Sequence, residues 1–241
     1  MVKVISPNGI TTILFDLDGT LRFNRPASAH FFLDYAVSLG VEDSLERRRK
    51  AIHWTHRYWA QSPEVLQDMQ DYPNEDEFWI HYASLYLKAY GCPARQASEL
   101  GPFIHRYMQE QHRPENWVPP ETAQTLETLQ KAGFRLGLVS NRTHPVQAEL
   151  AELGLDRFFE LTLVAGEVNS WKPEPQIFLT ALDRLGASPT QAVYVGDNYY
   201  ADILGSQAVG IQPVLLDPEG IFPDAKCPVI TRLDEIYDVI G

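Results

Sequence analysis

Thr11-Thr12-Ile13-Leu14-Phe15-Asp16-Leu17-Asp18-Gly19-Thr20 is the stretch on which the rest of the chain turns. Its first five residues are β-branched or apolar without a polar alternation, the pattern of a short parallel strand covered on both faces. Asp16 ends that run, and Gly19 allows the tight turn that must follow it. A parallel strand needs partners elsewhere in the chain, and the sequence beyond this point divides into two kinds.

Between about residues 27 and 111 apolar residues recur at helical spacing: Phe31, Phe32, Tyr35 and Leu39 form one series, and Phe78, Tyr82, Leu85, Tyr86 and Ala89 another. No strand is expected there. The stretch reads as several helices broken near Gly40, Pro63, Pro73 and Gly91 to Pro93. From Pro119 helices and strands alternate. Helices are expected over 121–132, 145–153, 175–185, 199–209 and 233–239, and strands over 134–139, 161–164, 192–195 and 211–216, with a short apolar pair at Val229-Ile230. Such alternation implies α/β architecture, a Rossmann-like parallel sheet with helices on both faces. Its first strand is separated from the rest by the helical stretch. The expected organisation is an α/β core of residues 1–24 and 115–241 interrupted by a helical cap domain of residues 25–114.

Composition limits the function. The 241-residue chain has 44% hydrophobic and 22% charged residues, the balance of a globular protein. No apolar run approaches a membrane span, and residues 1–10 lack the basic-then-apolar pattern of a secretory signal. Cys92 and Cys227 have no zinc spacing and read as reduced thiols of a cytoplasmic protein. A net charge of −12 disfavours nucleic acid and anionic membranes as partners. It leaves room for a small phosphorylated substrate, because screening confines the distant field.

Ligands of open α/β sheets bind beyond the carboxyl ends of the strands. What gathers there is Asp16, Asp18 and Thr20 from the first strand, Ser140-Asn141-Arg142 from the second, Ser170-Trp171-Lys172-Pro173 after the third, and Gly196-Asp197 with Asp202 after the fourth. Carboxylates, a hydroxyl, an amide and a lysine on one edge suit phosphoryl transfer. A carboxylate can attack phosphorus, a second can protonate the leaving alcohol, a hard dication can offset the charge, and the lysine can hold the phosphoryl oxygens.

These segments, in this order, resemble the four motifs of the haloacid dehalogenase-like hydrolase superfamily, and the helical insertion resembles its C1-type cap. The resemblance covers about 150 residues and implies specific roles. Asp16 is the expected nucleophile and Asp18 the general acid and base; both, with Asp197, are expected to hold Mg²⁺, Asp18 through its backbone carbonyl. Ser140, Asn141 and Lys172 are expected at the phosphoryl group, and Thr20 and Asp202 in support. Dehalogenating members carry a non-acidic residue where this chain has Asp18, since a halide leaves without a proton. The expected activity is therefore Mg²⁺-dependent hydrolysis of a small phosphomonoester through an aspartyl phosphate. A phosphomutase or phosphotransferase using the same residues, or a 2-haloacid dehalogenase, are the alternatives.

Other features have ordinary readings. Arg22, Arg25 and Arg142 suit either a substrate anion or local ion pairs. His53 and His56 read as surface residues, and Glu46 to Lys50 as a solvated helix face. Most of the aromatics among Trp54, Tyr58, Trp59, Phe78, Trp79, Tyr82 and Tyr86 read as packing between cap helices, with one or two left to line a cavity. One of Tyr199 and Tyr200 is expected to face the cleft.

Overall fold

The computed structural model describes residues 9–240. The expectation about residues 1–10 therefore lies, up to residue 8, outside the described residues. Among the described residues no helix is long and apolar enough to cross a membrane.

Chain contacts divide the molecule into two compact units, residues 1–23 with 118–241, and residues 24–117. The first unit is built on a six-stranded sheet of β1 (Thr12–Phe15), β4 (Arg135–Ser140), β5 (Leu161–Val164), β6 (Ala192–Gly196), β7 (Gln212–Leu216) and β8 (Val229–Ile230), in the order β5-β4-β1-β6-β7-β8. Every pairing in it is parallel. β1 sits at the centre, with Phe15 beside Leu138 of β4 and Val195 of β6.

Both faces of this sheet are covered, as the unbroken apolar strands demand. Along β1, Ile13 and Phe15 point into one cluster, with Leu126, Leu129, Val193 and Ile236. Leu14 points into the other, with Ile177, Phe178, Ala181 and Tyr194. Each fully buried Leu, Ile or Phe contributes about 1.5–3 kcal/mol. Helices α6 (Thr122–Lys131), α7 (Gln147–Glu152), α9 (Pro175–Arg184) and α11 (Ile236–Ile240) take their expected places, and the short α8 (Ala165–Val168) follows β5. The expected helix over 199–209 is in fact a π-helical segment, Tyr199–Leu204, continued by α10 (Gly205–Ala208).

The second unit is helical: α1 (Ser28–Ser38), α2 (Leu45–Trp59), α3 (Pro63–Asp71), α4 (Glu75–Ala89) and α5 (Ala94–Gln111). Ser44, Ser62 and Asn74 cap α2, α3 and α4, each accepting from a backbone N–H one turn in. The α4–α5 pair is close because Gly101 of α5 has no side chain. A Cβ there would lie 2.4 Å from Ser84 Oγ and 3.0 Å from Ile80 O. Two short strands escaped the sequence reading: β2 (Phe23–Arg25) and β3 (Glu115–Trp117) pair with each other, so residues 24 and 115–117 fall with the helical unit. His53 and His56 are half-buried in α2 rather than fully exposed, away from the buried stripe of Ala51, Ile52 and Tyr58. The 46–50 segment behaves as a solvated, paired face, Arg47 reaching Glu42 and Arg48 reaching Asp34 and Asp43.

Candidate active site

Three adjacent central strands, β4, β1 and β6, end at the same edge of the sheet and deliver Ser140, Asp16 and Asp197 there. The Asp16 N–H donates to Val195 O at 2.9 Å, so the nucleophile candidate leaves the sheet while still in register with β6. The chain then turns sharply. The N–H groups of Leu21 and Arg22 both donate to Leu17 O at 3.0 Å, and Gly19 N–H donates to Arg22 O at 2.8 Å. Gly19 adopts φ +87°, and a Cβ there would stand 2.5 Å from an Asp197 carboxylate oxygen. Only glycine satisfies both conditions, which is how this loop lies against Asp197.

Lys172 is the hub. Its Nζ is buried and donates to Asp16 Oδ1 at 2.6 Å, to Asp202 Oδ1 at 2.7 Å and to Tyr194 Oη at 2.9 Å. Three acceptors use all three ammonium protons. The lysine backbone is fixed by Asn141, whose Oδ1 accepts from Lys172 N–H at 2.7 Å and whose Nδ2 donates to Lys172 O at 3.0 Å. Asn141 thus spends both ends of its amide on the lysine segment. Ser140 is buried, and its Oγ accepts from Arg142 N–H at 3.2 Å.

The π-helical segment brings Asp202 to the lysine. Asn198 caps it, its side-chain oxygen accepting from Tyr200 N–H and Ala201 N–H at 3.0 Å. The Asp202 Oδ2 then accepts from Asn198 N–H at 2.9 Å while Oδ1 holds Lys172. A widened turn of this kind is often found where a helix must present a functional group. Asp16, Asp197 and Asp202 have oxygens within 4.8 Å of one another, the one cluster among the described residues that could hold a metal. Thr20 Oγ1 approaches Asp197 Oδ1 at 3.5 Å.

Electrostatics follows from this crowding. Removal from water, with Asp202 and Asp18 nearby, pushes the Asp16 carboxyl up to about 7 despite the opposing Lys172 ammonium. Loss of water also raises Asp197 well above the carboxylate range, reinforced by Asp16 and Asp202. For Lys172, burial favours the neutral amine, but the Asp16 and Asp202 charges overcome it and hold the ammonium firmly protonated. Three carboxylates around one cation leave an excess of negative charge. An all-oxygen donor set with that excess suits a hard divalent cation. Asp202 is already engaged at both oxygens, so Asp16 and Asp197 are the side chains free to ligate.

Asp18 stands apart from this trio. Arg22 Nη1 donates to its Oδ1 at 2.8 Å, and Arg142 donates to Oδ2 from Nε at 2.6 Å and to Oδ1 from Nη2 at 2.7 Å. Both guanidinium groups also reach Glu149, at 3.3 and 3.4 Å. Arg22 and Arg142, whose partners the sequence left open, are thus ion-paired to Asp18. Tyr194 was missed altogether: it reads as one more apolar residue of a buried strand, and only the third dimension shows its hydroxyl between Lys172 and Val139 O, to which it donates at 2.9 Å. Tyr199 stacks on Phe222 with centroids 5.2 Å apart.

The profile of the haloacid dehalogenase-like hydrolases matches residues 13–216. A ribulose-1,5-bisphosphate 5-phosphatase of Halopiger xanaduensis is 32% identical over 214 residues, covering 86% of this chain and 85% of that one. The pyrophosphatase PpaX of Bacillus pumilus is 33% identical over 246 residues, covering 96% and 97%. Among solved structures, a 2-haloacid dehalogenase from Pseudomonas syringae superposes with TM-score 0.54 at 26% identity, over 96% of this chain and 98% of that one.

Proposed function

The chain belongs to the haloacid dehalogenase-like hydrolases, and from that premise we propose that it is a Mg²⁺-dependent phosphatase that hydrolyses a small phosphomonoester through an aspartyl phosphate on Asp16. The observation that carries this reading is the buried Lys172 ammonium joining Asp16 to Asp202, beside an acidic Asp197. A relative named as a ribulose-1,5-bisphosphate 5-phosphatase supports it, and one named as a pyrophosphatase supports the coarser reading of phosphoryl hydrolysis. Asp18 favours an oxygen leaving group over a halide, because an alkoxide must be protonated as it departs.

In this mechanism the Asp16 and Asp197 side chains, with the Asp18 backbone carbonyl, would hold Mg²⁺, which would supply positive charge to offset that of the phosphoryl oxygens. Ser140 binds that phosphoryl group together with Lys172, whose ammonium must exchange one of its three acceptors for a phosphoryl oxygen, and Asn141 serves by fixing the Lys172 backbone. An Asp16 carboxylate oxygen attacks phosphorus; as that O–P bond forms, the ester O–P bond breaks. Asp18 gives its proton to the departing oxygen, then takes one from water. The resulting hydroxide attacks phosphorus, releasing inorganic phosphate and restoring Asp16. Both Asp18 oxygens carry guanidinium partners, so proton delivery requires that at least one of these be exchanged for substrate. Thr20 and Asp202 hold Asp197 and Lys172 in place. The helical unit acts as the cap.

Hydrolysis of p-nitrophenyl phosphate, followed with Mg²⁺ and with excess chelator, tests the assignment with Asp16→Asn as the blank. Turnover that needs both the metal and Asp16 is expected. Equal turnover in the chelated protein or in Asp16→Asn contradicts it.

A further inference from the structure

The helical unit holds a half-open cavity of about 460 Å³, lined from α1, α2, α4 and α5. That volume lies in the range of small-molecule sites, about 300–1,000 Å³. Its wall is largely aromatic: Phe32, Trp59, Trp79, Tyr82 and Tyr86 contribute to it. These rings brace one another. Trp59 Nε1 donates to Tyr82 Oη at 3.2 Å, Trp79 meets the Tyr82 ring edge-to-face at 5.6 Å, and Phe32 lies 4.8 Å from Tyr86. Packing between helices accounts for the contacts among the rings but not for the space they leave.

The charges at the cavity have one sign. No lysine or arginine lines it, and its one acidic lining residue is Glu75, at the start of α4. Glu75 is exposed and has no ion-pair partner among the described residues. The other ionisable lining residue, His105, is tied to Asp76 at 3.1 Å, and Gln109 donates to the same carboxylate at 2.9 Å. Aromatic faces carry negative potential and attract cations. An anion entering this cavity meets π faces and a carboxylate; an organic cation meets complementary potential at those same rings and at Glu75.

We propose that this cavity is a binding site for an apolar, ring-bearing molecule that carries an amine, held by stacking on Trp59, Trp79 and Tyr82 and by charge pairing with Glu75. The site is complete within the helical unit, and the proposal does not rest on the phosphatase reading.

Calorimetric titration of the full chain with 2-phenylethylamine, 2-phenylethanol and 3-phenylpropionate tests it, since the three share a ring and differ in charge. The amine is expected to bind at one site per chain, the alcohol more weakly and the acid not at all. Glu75→Gln, at an exposed position, is expected to weaken the amine about fivefold and leave the alcohol unchanged. Ala29→Phe, which fills the cavity from the half-buried start of α1, is expected to abolish binding of both; a melting curve like that of the parent shows that each variant is folded. No amine binding at millimolar concentration overturns the proposal. So does an acid that binds as tightly as the amine, or amine binding that survives Ala29→Phe in a folded protein.

Discussion

Lys172 is held by three acceptors, and two of them are visible in the sequence only as motif carboxylates. The third, Tyr194 Oη, links the ammonium to Val139 O. Tyr194→Phe removes two hydrogen bonds, one from Lys172 Nζ and one to Val139 O, and leaves a buried ammonium proton without its acceptor, a loss of about 1–3 kcal/mol of stability. Because it also frees Lys172 to shift, kcat is expected to fall about tenfold with KM little changed; steady-state kinetics beside a thermal melt separates the two effects. A second residue-scale prediction concerns protons. Asp16 titrates near 7 in the folded chain against 3.8 in its ordinary state. The folded state therefore binds more protons through that interval, and Asp16 costs stability as pH rises through it. In chelated protein, Asp16→Asn is expected to be the more stable form at pH 7, with the advantage shrinking as pH falls towards 4. Mg²⁺ affinity of the parent is expected to weaken as pH drops below 7, since the metal must displace those protons. Melts across pH and a metal titration at two pH values check both signs.

Elements carry these residues to the site, and two local devices matter most. The turn after β1 depends on Gly19, whose positive φ and contact with Asp197 exclude a side chain. Gly19→Ala is expected to cost about 1–3 kcal/mol and to weaken Mg²⁺ binding because Asp197 must move; a melt and a metal titration read both. The π-helical segment depends on Asn198, which caps it and supplies the N–H that orients Asp202. Asn198→Ala is expected to lose about 1 kcal/mol and to lower kcat through Asp202, which kinetics on the folded variant measures. At this scale the sequence was informative where periodicity was long or apolar. The strand before Asp16 and the helices of the insertion follow directly from apolar spacing. The β2–β3 pair was not legible, because three-residue strands with polar content carry no periodic signal. Nor was the π-helical turn, whose extra residue leaves helical spacing almost intact. Glycine at 19 announced a turn, but not which side chain it would approach.

The whole molecule carries a charge of −12, and its proposed substrates are anions. Like-charge repulsion slows encounter and is screened by salt, so kcat/KM is expected to rise about two- to threefold when ionic strength is raised from low values to physiological ones; a KCl series measures it. The four strand-end segments were legible together because their chemistry is unusual in combination: carboxylates, a hydroxyl and a lysine all at one sheet edge. The aromatic cavity of the helical unit was not, since aromatic residues at helical spacing look alike whether they fill a core or line a void. The proposed chemistry turns on phosphorylation of Asp16. Mixing the protein with Mg²⁺ and p-nitrophenyl phosphate, quenching in acid within the turnover time and mapping the peptides by mass tests it most directly. One added phosphoryl group is expected on the peptide containing Asp16, absent from Asp16→Asn. Turnover with no phosphorylated enzyme, or with the phosphoryl group on another residue, would contradict it.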